Sequence, residues 1–219
     1  MMLSLFRNET VRTGVNPMTP IGDAGYVVMD TELTGLEIRE DSVVSLGGLK
    51  MKGSRIGMSS AYYEIVSPRT SLKSDSVIVH GITPSEVKEK PTIDKVLGDF
   101  LTFCEGSVIV GHFIALDVKF LNRELRRFGF RPLANAVVDT CAVYDWIKHH
   151  GDNFSRSYMG RMESRDLFSI AKQYHIPVSG AHNALQDAFI TAQVFQRFLS
   201  MLPGLGVKTL KDLLKIGRP

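Results

Sequence analysis

Four carboxylates and one imidazole occupy positions from which they could do chemistry. Asp30 and Glu32 lie two apart, directly after the apolar run Tyr26-Val27-Val28-Met29. In an extended segment a period of two puts both side chains on one face. Two carboxylates so placed repel each other and lose hydration, and a divalent cation is the natural compensation. The plainer alternative is a turn-capping Asp beside a solvated Glu. Asp117 follows the apolar segment 107–111 and falls in the first turn of the next helix, where a carboxylate also serves the helix dipole. His182-Asn183-Ala184-Leu185-Gln186-Asp187 opens a long helix. Five residues do not share a helical face, but a His just ahead of the first turn can swing beside Asp187. Imidazole is the usual proton acceptor near neutral pH; an unremarkable His at a helix start is the competing reading.

These residues need elements to hold them. Segments 26–29, 42–50 and 61–66 read as strands, with Gly47-Gly48 and Gly53 marking bulges or tight turns, and the spacing suits an antiparallel meander. The period then changes. Ile93, Val96, Leu97, Phe100, Leu101 and Cys104 fall at helical intervals within 92–104, and Leu116, Phe120, Leu121 and Leu125 line one face over 115–128. Between them 107–111 is a buried strand. Val137-Val138 is a short one, and Asp139 reads as the N-cap of a helix through Lys148. Further helices cover 167–174 and 184–202. A meander followed by strands alternating with helices implies an α/β fold with a mixed sheet.

Taken in order, Asp30-Thr31-Glu32-Leu33-Thr34-Gly35-Leu36, then Gly-His before Asp117, then His182-x-Ala-x-x-Asp187 form a set. The set resembles the DEDDh 3′–5′ exonucleases, in the branch like the epsilon subunit of DNA polymerase III, over roughly residues 26–202. Val79-His80-Gly81-Ile82-Thr83 looks like the same branch. The resemblance implies a ribonuclease H-like fold with a five-stranded mixed sheet flanked by helices. It implies that Asp30, Glu32, Asp117 and Asp187 bind two divalent ions, Mg²⁺ or Mn²⁺, and that His182 is the general base. It also implies that Thr34, Gly35 and Leu36 hold the 3′-terminal nucleotide, with Leu36 wedged against its base and His80 near the 3′ end. A strand-end His capping a turn is the alternative for His80. Two departures stand out. Phe113 replaces the usual Asn of the second motif, which puts rate or nucleotide preference in question, and Leu33 replaces a common Thr.

Composition sets the outer limits. Hydrophobic residues make up 44% and charged residues 22% of the 219, which fits one well-cored domain and excludes a disordered or fibrous chain. No apolar run approaches the ~18 residues of a membrane span. A net charge of +3 permits a polyanionic partner without demanding one. Cys104 and Cys141 read as buried thiols in a reducing compartment, and no secretion signal is evident, so a cytoplasmic protein is expected. Residues 1–22 read as a leader on the surface, 23–203 as the exonuclease domain, and 204–219 as a C-terminal turn and short helix. His112 reads as a satisfied, partly buried side chain. Lys119, Arg123, Arg126, Arg127 and Arg131 read as a solvated helix face. Arg156, Arg161 and Arg165, with Phe154 and Tyr158, flank a polar loop that could meet a strand. The expected partner is a nucleic acid 3′ end, DNA ahead of RNA. The short tail favours a stand-alone nuclease, monomeric or homodimeric, over a polymerase-bound subunit. A non-catalytic binding module that kept the fold is the rival; it would be marked by a missing carboxylate or His, and all five are present.

Overall fold

The computed structural model describes residues 14–150, 164–178 and 182–219. Strand β1 (Gly25–Leu33) pairs antiparallel with β2 (Val43–Lys52), and β2 with β3 (Arg55–Ile65). On its other side β1 pairs parallel with β4 (Val108–Gly111), and β4 parallel with β5 (Val137–Asp139). The sheet order is β3-β2-β1-β4-β5, the five-stranded mixed sheet expected.

Alternation along β1 divides the interior in two. Tyr26 and Val28 point into one core, and Val27 and Met29 into the other. The second core is closed by α3 (Ile93–Cys104) and α4 (Ala115–Arg127), which bury Ile93, Val96, Leu97, Phe100, Phe120, Leu121 and Leu125 at helical spacing. The first is closed by α5 (Thr140–His150), α6 (Leu167–Gln173), α7 (Ala184–Met201) and α8 (Leu210–Ile216). There Phe195 of α7 meets Tyr26 edge-on at 5.0 Å, a packing worth roughly 0.5–1.5 kcal/mol beyond burial.

Several expectations change. Gly47 and Gly48 lie inside β2, and the register shifts fall elsewhere: between Glu32 and Leu33 against β1, and between Leu49 and Lys50 against β3. A Cβ on Gly47 would stand 2.2 Å from the Ala184 carbonyl carbon and 2.3 Å from Leu185 N, so the missing side chain lets α7 start directly on the sheet. Gly53, at φ 54°, does make the β2–β3 turn. Two short helices were not foreseen: α1 (Ser74–His80) and α2 (Pro84–Val87), the second opened by a capping box between Thr83 and Glu86. His80 therefore closes a helix, not a strand. Its Nδ1 accepts from Ile82 N at 3.0 Å.

The described part of the leader does not simply lie on the surface. Ile21 is buried, Tyr26 Oη donates to its carbonyl at 2.8 Å, and Thr19 O and Pro17 O accept from Leu210 N and Lys211 N. Leu202–Leu205 forms a 3₁₀ turn before α8. Gly206 N–H bonds to Pro203 O, and Thr209 and Asp212 cap α8 reciprocally. The tail is thus a packed turn and helix, with Leu210 and Leu213 in the first core. Among the described residues no helix is long and apolar enough to cross a membrane.

Candidate active site

Asp30 and Glu32 stand on the face of β1 that carries Tyr26 and Val28, opposite Gly47 and Ser45 of β2. That face looks towards α7, so Asp187, in the first turn of α7, comes down beside them. The three carboxylates each offer an oxygen within 4.8 Å of the others. Asp117 approaches from the start of α4. Its Oδ1 accepts from Thr31 N at 3.1 Å and from Thr31 Oγ1 at 2.5 Å. Thr31, between the two acids of β1, fixes the fourth.

Glu32, Asp117 and Asp187 are buried, Asp30 partly so. Burial, then the charges of Asp117, Glu32 and Asp187, push the Asp30 carboxyl well above the usual carboxylate range. Burial, then Asp187 and Asp117, push Glu32 up to about 8. Burial raises Asp117 to about 6 despite the Thr31 hydrogen bonds that oppose it. Asp187 is raised by burial, with partial relief from the His182 N–H. Among the described residues no Lys or Arg pairs with any of the four, and Glu32 Oε1 is buried without a hydrogen-bond partner. What such a donor set lacks is positive charge. Hard oxygen ligands converging on one point fit a divalent cation of the Mg²⁺ or Mn²⁺ kind.

His182 stands just outside α7 at φ 68°, and its backbone N–H donates to Asp187 Oδ1 and Oδ2 at 3.3 and 3.2 Å. The link to Asp187 runs through the main chain, where a side-chain approach was expected. The imidazole is exposed and meets Phe168 of α6 edge-on at 5.2 Å. Asn183 caps α7 by accepting from Leu185 N and Gln186 N, and its Nδ2 donates to Tyr63 Oη at 2.7 Å. Tyr63 pairs with Gly47 across the sheet, so β3 grips the helix start that Gly47 admits.

Asp30, Glu32 and Asp117 line a cleft of about 620 Å³, with Thr34, Gly35 and Leu36, Val79 and His80 of α1, and Phe113 and Leu116; Asp187 and His182 are not among its lining residues. All of the predicted substrate residues therefore border one space. The loop after β1 is held from behind by Asp41, which accepts from Thr34 Oγ1 at 3.1 Å, Glu37 N at 2.9 Å and Lys73 Nζ at 2.9 Å. A Cβ on Gly35 would collide with Asp41 and Lys73. Burial would raise the Asp41 carboxyl; the Lys73 and backbone donors outweigh it and hold it below its ordinary value.

Other candidates resolve as structure. His112 is satisfied, Nδ1 with Thr140 Oγ1 at 2.9 Å and Nε2 with Arg165 O at 2.8 Å. Asp139 caps α5 through Cys141 N at 2.8 Å, and also accepts from Phe113 N at 3.1 Å. Arg123 is not part of a solvated face. It lies over Phe120, pairs with buried Glu124 and donates to Ile38 O. Phe154, Arg156, Tyr158 and Arg161 lie outside the described residues. Thr31, Asp41, Tyr63 and Lys73 were missed. Thr31, Tyr63 and the Asp41–Lys73 pair act through partners at least 32 residues away, so no local spacing marks them.

The sequence profile of the exonuclease family matches residues 27–195, which include all five predicted catalytic residues. The chain belongs to the exonuclease family. Over 95% of its length this exonuclease-family chain is 29% identical to the Thermotoga maritima protein named DNA polymerase III PolC-type, of which it spans 14%. Over 82% it is 27% identical to the Aquifex aeolicus DNA polymerase III subunit epsilon, spanning 83% of that protein. The fold is ribonuclease H-like. E. coli exonuclease I, solved with a dT13 oligonucleotide, superimposes with a TM-score of 0.72 at 16% identity, over 84% of this chain and 43% of the other. Cell-death related nuclease 4 superimposes at 0.66 and 14% identity, over 82% of this chain and 65% of the other.

Proposed function

We propose that this chain is a metal-dependent 3′–5′ exonuclease that removes nucleoside 5′-monophosphates from single-stranded or frayed 3′ ends, DNA before RNA. The convergence of Asp30, Glu32 and Asp187 carries the reading: buried or partly buried acids, unpaired with any described cation, two of which, Asp30 and Glu32, line an open cleft. The relatives named for DNA polymerase III support DNA as the polymer. The buried free thiols of Cys104 and Cys141 support a cytoplasmic setting.

Asp30, Glu32, Asp117 and Asp187 would hold two divalent ions, which when bound neutralise the scissile phosphate and make water a better nucleophile. Thr31 holds the Asp117 carboxylate, which borders the same cleft as the two acids of β1. His182, whose imidazole is exposed and whose backbone N–H holds Asp187, would take the proton from the attacking water at a ring nitrogen as the water oxygen bonds to phosphorus. The bond from phosphorus to the 3′ oxygen breaks, and that oxygen regains a proton. Phe168 meets the imidazole edge-on, and the Asn183 cap fixes the helix start that follows it. Thr34, Gly35, Leu36 and His80 wall the space for the terminal nucleotide, and Asp41 keeps that wall in place.

Product analysis tests this reading. Single-stranded DNA and RNA are incubated with Mg²⁺, Mn²⁺ or chelator, and the released species are separated. Nucleoside 5′-monophosphates appearing only with metal, faster from DNA, are expected. Nucleoside 3′-monophosphates, or release undiminished by chelator, would refute it.

A further inference from the structure

We infer that Phe113 is a stacking platform for an unpaired base of the strand in the cleft, and thereby sets the preference for single-stranded ends. The inference rests on the exonuclease reading above and deepens it.

Phe113 sits at φ 52°, a left-handed conformation that costs a bulky side chain energy and that Gly or Asn adopts far more readily. Its neighbours hold it there. His112 is bonded at both ring nitrogens, Phe113 N–H donates to Asp139 Oδ1, and Ile114 is fully buried at the entry to α4. The side chain gains little from the fold in return. It is 51% exposed, it lies in neither core, and its one ring contact among the described residues is the edge of His112 at 4.6 Å. The exposed ring borders the same cleft as Asp117, four residues further along the chain. Strain kept at a cleft wall, with a large apolar surface left open to solvent, is a feature of binding sites.

The chemistry of the ring names the ligand class. A phenyl group has no donor or acceptor, so it reads no hydrogen-bond pattern. It offers a flat π face beside a set of carboxylates that bind phosphodiester-bound cations in this account. A nucleobase is the flat aromatic group a phosphodiester brings with it, and every base has a π face to stack. A base still paired in a duplex is already stacked on its neighbours and is not free to lie on Phe113. The platform therefore favours unpaired ends and tolerates any sequence.

A cycle of ring and base removal tests it. Wild type, Phe113→Ala and Phe113→Asn are assayed for KM on single strands carrying either a normal nucleotide or an abasic sugar at the last or next-to-last position. Phe113→Asn suits the left-handed backbone, so its thermal midpoint should equal or exceed that of wild type, and it controls for misfolding. Both variants should raise KM about 5- to 20-fold on the intact strand. At the one position where the base is stacked, that loss should shrink below about twofold on the abasic strand. Equal losses on intact and abasic strands at both positions, or no loss on either, overturn the inference. Wild-type shortening of the intact strand is read in the same assay, so failure of the exonuclease reading shows separately.

Discussion

His182 and Asp187 are joined through the main chain: the His182 N–H points at both oxygens of the Asp187 carboxylate, at 3.3 and 3.2 Å. The backbone at His182 is left-handed where it makes this bond, and its imidazole is exposed. One residue thus orients the Asp187 carboxylate with its backbone, and in the proposed reaction its side chain is the base.

Replacement of Asp187 separates these duties. Asp187→Asn keeps an oxygen for the His182 N–H but loses the charge; Asp187→Ala loses both. Each should lower the rate of strand shortening by at least about 100-fold. Asp187→Asn should melt at or above the wild-type temperature, because one member of a repelling cluster is gone, and Asp187→Ala should melt below Asp187→Asn. Shortening by Asp187→Asn within tenfold of wild type would contradict the assignment.

The acid cluster makes stability depend on pH. Glu32 and Asp117 titrate near 8 and 6 when folded, above their ordinary values of 4.5 and 3.8. The folded chain therefore holds more protons than the unfolded one between those limits, and stability falls as pH rises through that window. In chelator, Tm should drop by at least roughly 5 °C between pH 5 and pH 8, on a scale of about 2–4 °C per kcal/mol for a chain this size. Mg²⁺ or Mn²⁺ should restore more of it at pH 8 than at pH 5, since ligands must be deprotonated. A metal-free Tm that is flat or rises over this range would show that the carboxylates do not repel as described.

Gly47 and Gly98 should respond in opposite directions to a methyl group. At Gly47 it would meet the backbone of Ala184 and Leu185, whereas at Gly98, within α3, it would meet nothing within 4 Å. Gly47→Ala should cost about 1–3 kcal/mol and, by displacing the start of α7, lower activity beyond the loss of folded protein. Gly98→Ala should stabilise by about 0.5–1 kcal/mol with activity unchanged. Chemical denaturation and strand shortening on the two variants check both.

Tyr63 should matter more to turnover than to binding. Its hydroxyl accepts from the Asn183 cap at 2.7 Å, and Tyr63 is not among the residues that line the cleft. Tyr63→Phe should cost about 1 kcal/mol of stability and lower kcat about 2- to 10-fold with KM little changed. Asn183→Ala should cost a similar amount through the lost cap, with a larger fall in kcat. A KM effect without a kcat effect would move Tyr63 out of this role.

Much of the fold was legible because its signals are local. The apolar run at 26–29 and the helical spacing of Val96, Leu97 and Phe100 each announce an element from within one window. The helix Ser74–His80 was not legible: Ile78 and Val79 face solvent and the cleft, so no buried stripe marks it. Gly47 misled for a related reason. Its meaning lies in a helix 137 residues later, and sequence reads a mid-strand glycine as a bulge. The acids of the site were legible as an ordered set, whereas Thr31, Asp41 and Tyr63 emerge only once Asp117, the loop at Gly35 and the Asn183 cap are in place.

The most direct measurement is the polarity and metal dependence of strand shortening. A single strand labelled at its 5′ end is incubated with wild type or Asp30→Asn, in Mg²⁺, Mn²⁺ or chelator, with its 3′ end either free or blocked by a phosphorothioate linkage. A ladder that descends one nucleotide at a time from the free 3′ end, needs metal and Asp30, and stalls at the block is expected. Folded wild-type protein that leaves the strand intact in both metals, or that releases the 5′ label first, would contradict it.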